Sequence, residues 1–63
     1  MTPEAFARWL SEMIASGKAA TKSDCARALG YRPKDLHRIE AKGGDQRLAL
    51  SCAALLKGLR PYA

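Results

Sequence analysis

Lys34, His37 and Arg38 stand within five residues of one another in the stretch RPKDLHRIEAKG, residues 32–43. An ammonium, an imidazole and a guanidinium so spaced can do two kinds of chemistry. Beside a nucleophile and a second base they could catalyse; without these they offer donors to an anion. The chain holds one histidine and two cysteines, Cys25 and Cys52. No further base is left to activate a thiol, and zinc would find three ligands in place of its usual four. Gly43-Gly44 lacks the spacing of a phosphate-cradling loop, and so short a chain has little material for a closed pocket. Catalysis, a metal and a cofactor are therefore not expected. Donation to a polyanion is the chemistry that remains.

Eleven Lys and Arg against six Asp and Glu leave a net charge of +5, with a pI near 9.7. Such a balance suits a polyanionic partner and serves solubility equally, so placement has to decide. Two cysteines do not make the disulfide framework of a secreted domain; both fall at core-facing positions and are expected as free thiols. That usage fits a reducing cytoplasm. No run is apolar enough to span a membrane and no export signal is visible, so the cytosol is the expected location.

The 63 residues make one domain, and at that length its stability is marginal without further support. The composition is helical: Ala, Leu, Lys, Arg and Glu dominate, with no Val and two Ile. In the first helix Thr2 caps, Pro3 takes the first position and Glu4 favours the positive end of the dipole. Phe6, Trp9, Leu10, Met13 and Ile14 form its apolar stripe, and Gly17 ends it. The second starts at Thr21, with Asp24 as capping-box partner, turns Cys25, Ala26 and Leu29 inward, and stops at Gly30. The third runs from Pro33 to Gly43 with Leu36 and Ile39 on one side and Lys34, His37, Arg38 and Ala41 on the other. The fourth spans about 45–59, capped by Asp45. It carries Leu48, Cys52, Leu55, Leu56 and Leu59 as a wide stripe, with Leu50 and Ala54 opposite. Gly58 and Pro61 weaken and then stop it. Tyr31 is expected to pack over the turn; Tyr62 near the end is uninformative. The expected fold is an all-α, compact four-helix domain.

Residues 21–43 form a short helix, a Gly-containing turn and an exposed polar helix, which is the helix-turn-helix pattern. Thr21, Ala26, Leu29-Gly30, Leu36, Ile39-Glu40 and Gly43 resemble the Cro and λ-repressor-like (XRE) family in type and spacing, most nearly its small phage and mobile-element regulators. The resemblance covers about a third of the chain closely. Cys25 stands where the family has Leu, and Pro33 where it has a polar residue that often contacts bases. The link before Thr21 is longer than usual, and four helices stand in place of five.

The resemblance implies a homodimeric repressor or autorepressor that places the third helix in the major groove of an inverted-repeat operator. Lys22 would then meet a phosphate, and Arg32, Lys34 and Arg38 would read bases or phosphates. His37 would donate to either, and Lys42 and Arg47 would hold the backbone. Glu40, which phosphates repel, reads as a structural carboxylate pairing with a cation. Leu50, Ala54 and Leu59 are the expected dimer interface, since a four-helix chain leaves the last helix uncovered. The rival reading is a helix-turn-helix fold kept as a protein-binding adaptor or antiactivator without DNA. A DNA-compacting protein is a third, and would be more basic.

Overall fold

The computed structural model describes residues 1–59. Its four helices are α1 (Pro3–Ala15), α2 (Lys22–Leu29), α3 (Pro33–Lys42) and α4 (Gln46–Leu56), with no strand among the described residues. Pro61 and Tyr62 lie outside them. None of the helices is long and apolar enough to cross a membrane.

Each helix starts where an oxygen takes one of the N–H groups that has no partner inside the helix. Thr2 accepts from the Ala5 N–H at 3.1 Å, Thr21 from Asp24 at 3.2 Å and Asp45 from Leu48 at 3.0 Å. Only half of the capping box expected at Thr21 forms, because the Asp24 carboxylate turns to Arg27 at 2.6 Å. The guanidinium brings a full opposite charge to the carboxylate, which a backbone N–H does not. At α3 the roles reverse: Arg32 has no side-chain acceptor, and Asp35 reaches back to the Arg32 N–H at 3.3 Å. The Arg27 bond holds the Asp24 carboxyl below its ordinary value of 3.8, and the Leu48 N–H does the same for Asp45. A carboxylate with a depressed pKa adds stability above its unfolded value and loses it as the pH falls through the folded one. The Asp24–Arg27 pair and the Asp45 cap therefore hold throughout the pH range above about 4.

α1, α2 and α4 share one ending. The glycine after each (Gly17, Gly30, Gly58) has φ between +78° and +85°. The two N–H groups at each end bond back across the last turn, as Gly30 does to Arg27 at 3.0 Å and Tyr31 to Ala26 at 2.9 Å. This paired closure is why the chain can turn sharply there. It also corrects the length of the fourth helix. Gly58 bonds to the Leu55 carbonyl and Leu59 to that of Ala54, so α4 stops at Leu56 and Leu59 lies beyond it.

The core is Phe6, Trp9, Leu10 and Met13 from α1, Cys25 and Ala26 from α2, Leu36 and Ile39 from α3, and Leu48 and Cys52 from α4, with Ala19 from the first loop. Phe6 and Trp9 stack with ring centroids 5.6 Å apart. The Trp9 indole Nε1 donates to the Cys52 carbonyl at 2.8 Å, a buried bond that ties α1 to α4. Ile14 departs from expectation: it is 39 % exposed, because it sits at the rim of the stripe, roughly 90° from its centre on a 100° helical step.

Both thiols are free and buried. Burial pushes the Cys25 thiol up, and it pushes Cys52 up to about 11, with the nearby Cys25 adding to the shift. A thiol held protonated and out of solvent reacts only through opening of the fold. Labelling with a thiol reagent should therefore be slower than in denaturant by on the order of 10²-fold or more. Rapid native labelling of either cysteine would show that its helix does not stay closed.

Candidate nucleic-acid interface

α3 is a ten-residue helix that packs on α1 and α2 through Leu36 and Ile39 alone among its buried residues. Burying two large side chains on one side commits the others by geometry. Lys34, His37, Arg38, Ala41 and Lys42 are exposed. Arg32, at the N-cap, is exposed as well and precedes this face by one turn.

The two acids of α3 are drawn to its flanks. Asp35 is half-buried, bonded to the Arg32 N–H, and 3.9 Å from Arg38. Glu40 lies on the opposite flank and accepts from Lys22 Nζ at 3.0 Å. That pair joins the first turn of α2 to the last turn of α3. As an exposed ion pair it contributes at most about 1 kcal/mol. Its greater effect is positional, since it keeps a carboxylate off the outward face. The pairing matches the structural role expected for Glu40. It also means that Lys22 reaches a phosphate only by sharing or leaving that carboxylate.

On the Arg38 side the helix borders the start of α4. Between them lies a cleft of about 230 Å³, floored by Ile39 and Leu48 and walled by Tyr31, Arg38 and Asp45. Tyr31 is 40 % exposed and lines this cleft. Nothing in the local pattern links positions 31, 38 and 45. Arg47 is almost wholly exposed, with Nε 3.6 Å from Asp45. The outward face is thus bracketed by Lys22 on one flank and Arg47 on the other.

The floor of this region depends on Gly43-Gly44. Gly43 has φ +78° and ψ −161°, outside the left-handed helical region that Gly30 occupies at φ +85° and ψ 14°. The chain swings out there and pairs with the first residue: the Met1 amine donates to the Gly44 carbonyl at 2.8 Å, and the Gly44 N–H to the Met1 carbonyl at 3.0 Å. A Cβ on Gly43 would run into the Met1 carbonyl, and one on Gly44 into the Leu48 side chain. Two adjacent glycines after a helix do not say, in sequence, what approaches them.

The residues expected at a dimer interface separate in the structure. Leu55 and Leu56 are half-buried against the core and Leu48 is buried, so most of the α4 stripe is covered within the chain. Leu50 is 62 % exposed on α4 and Ala54 beside it is half-buried, while Leu59, 60 % exposed, stands past the helix end. Among the described residues no cluster of three or more His, Cys, Asp or Glu is grouped to hold a metal. The chain matches no protein-family model, no curated protein and no solved structure.

Proposed function

We propose that this chain is a sequence-specific DNA-binding regulator, a homodimeric repressor that sets α3 into the major groove of an inverted-repeat operator. The observation behind it is the outward side of α3, where Lys34, His37, Arg38 and Lys42 are exposed and both acids of the helix are held to its flanks. A recognition helix needs two apolar anchors below and donors above, and it needs no carboxylate facing the phosphates. Arg38 and Lys34 are assigned to bases. Arg32, Lys42, Lys22 and Arg47 are assigned to backbone, ahead of the helix and along its flanks. Selection of bound sequences from a random DNA pool tests the reading. An enriched inverted repeat is expected, with half-sites about one helical turn (~34 Å) or a multiple apart. The absence of any enriched sequence would overturn it in favour of the protein-binding adaptor.

Single substitutions should divide along the same lines. Arg38→Ala or Lys34→Ala should weaken operator binding about 5- to 150-fold and relax preference at one or two positions per half-site. Lys22→Ala should weaken all sequences alike and lower the slope of log affinity against log salt by about 1. Uniform loss in all three variants would mean that α3 does not read bases.

Leu50 is the centre of the proposed dimer contact, with Ala54 one turn on and Leu59 at its edge. Identical chains favour closed two-fold pairing, and such a pair would present two copies of α3 to one side of the duplex. Sedimentation should show a dimer for the wild type and a monomer for Leu50→Glu. A wild-type monomer that binds an inverted repeat with full affinity would remove α4 from the interface.

A further inference from the structure

Among the ion pairs of the described residues, one differs in kind. Asp24 meets Arg27, Asp35 meets Arg38 and Asp45 meets Arg47, all close neighbours along the chain. Lys22 and Glu40 are 18 positions apart, and their bond joins α2 to α3. The ammonium is the outer partner: the Lys22 side chain is 59 % exposed and that of Glu40 29 %. Lys22 is also the first residue of α2, at the helix end where the macrodipole favours anions. Asp24, the nearer acid in sequence, gives its carboxylate to Arg27. The lysine is therefore left to Glu40, although a DNA complex would assign it to a phosphate.

We infer that Glu40 is an internal competitor of the DNA phosphate for Lys22, and that it lowers the affinity of the chain for DNA of any sequence. This rests on the proposed binding of DNA through α3 and its flanks. Carboxylate and phosphate oxygens are the same kind of partner for an ammonium, both anionic acceptors. In the free protein the carboxylate already holds Lys22 Nζ at 3.0 Å. A phosphate that takes the lysine must break that bond or share it. It then leaves a half-buried carboxylate beside a second anion. Both effects oppose binding, and neither depends on the bases, because the phosphate backbone carries no sequence information.

Such restraint has a use in a chain of net charge +5. Attraction to phosphates supplies essentially all of non-specific binding, and a genome offers ~10⁶–10⁹ competing sites. Asp35 is the weaker competitor on the other flank. It stands 3.9 Å from Arg38, beyond hydrogen-bond reach, and is bonded to the Arg32 N–H. A purely structural Glu40 and a competing Glu40 differ in sign. Removing a strut between α2 and α3 leaves binding unchanged or weaker, whereas removing a competitor makes it tighter.

The test is binding of a short random-sequence duplex at about 50 mM salt by the wild type, Glu40→Gln, Lys22→Ala and the double variant. A random sequence needs no known operator. Glu40→Gln keeps the shape of the side chain and removes its charge. It should bind about three- to fivefold more tightly than the wild type, the upper figure being what an exposed ion pair is worth. In the Lys22→Ala background the same change should tighten binding by less than half that factor, because the lysine it releases is gone. Glu40→Ala, which removes the acceptor as well and suits a helix, should tighten binding at least as much as Glu40→Gln. Circular dichroism checks that the variants are folded. Unchanged or weaker binding by folded Glu40 variants overturns the inference. Equal tightening in both backgrounds does so too, since the carboxylate would then act by general repulsion and not through Lys22. Either result leaves the proposed function standing. A wild type that binds no DNA even at this salt overturns the DNA reading and this inference with it.

Discussion

Trp9→Ala leaves the chain without a stable fold at 25 °C. A domain of this length holds only about 3–5 kcal/mol from its single core. Removing a buried tryptophan costs about 3–5 kcal/mol through lost burial and the cavity left behind. Here the loss falls on the middle of α1, where the ring stacks on Phe6 and its Nε1 holds the Cys52 carbonyl of α4. Far-UV circular dichroism with urea titration measures it. A cooperative transition whose midpoint is nearly unchanged would mean that the α1–α4 contact contributes little. Trp9→Phe separates the two effects, because it keeps most of the ring and removes the donor. The Cys52 carbonyl also serves the ladder of α4, so this smaller change should cost about 0.5–1.5 kcal/mol.

Gly43→Ala is expected to destabilise by about 2–4 kcal/mol, combining the cost of a glycine-only backbone conformation with loss of hydrogen bonds between Met1 and Gly44. The added methyl group would meet the Met1 carbonyl. Gly30→Ala is the matched comparison. Its φ of +85° is also positive, but nothing lies within 4 Å of the new Cβ, so only the left-handed backbone is strained. That should cost about 1–2 kcal/mol. Urea unfolding of the two variants under identical conditions gives the difference. Equal destabilisation would show that the approach of Met1 contributes nothing beyond the backbone of Gly43.

The local elements were legible because their causes are local. Thr2, Thr21 and Asp45 cap helices through N–H groups three residues on, a contact that needs no distant partner. Gly17 and Gly30 end helices for the same kind of reason, as conformations a following Cβ would oppose. The outward composition of α3 followed from the 100° step once Leu36 and Ile39 were taken as anchors. That step orders side chains around an axis. It does not say which other axis they will meet.

What needed the tertiary structure were the pairings between residues far apart in the chain. Glu40 could be read as a carboxylate seeking a cation, but with eleven lysines and arginines only packing of α2 on α3 selects Lys22. Trp9 was legible as core, whereas its bond to the Cys52 carbonyl depends on how α1 crosses α4. On a helical wheel the leucines of the fourth helix divide into a stripe of Leu48, Leu55, Leu56 and Leu59, with Leu50 opposite. Three of them find cover in this chain, and Leu50 and Leu59 do not, because burial is decided by the shape of the neighbours and by where Gly58 ends the helix. Periodicity is a property of one helix and can be read from its residues; contact is a property of two, and their relative placement is set by the packing of the whole core.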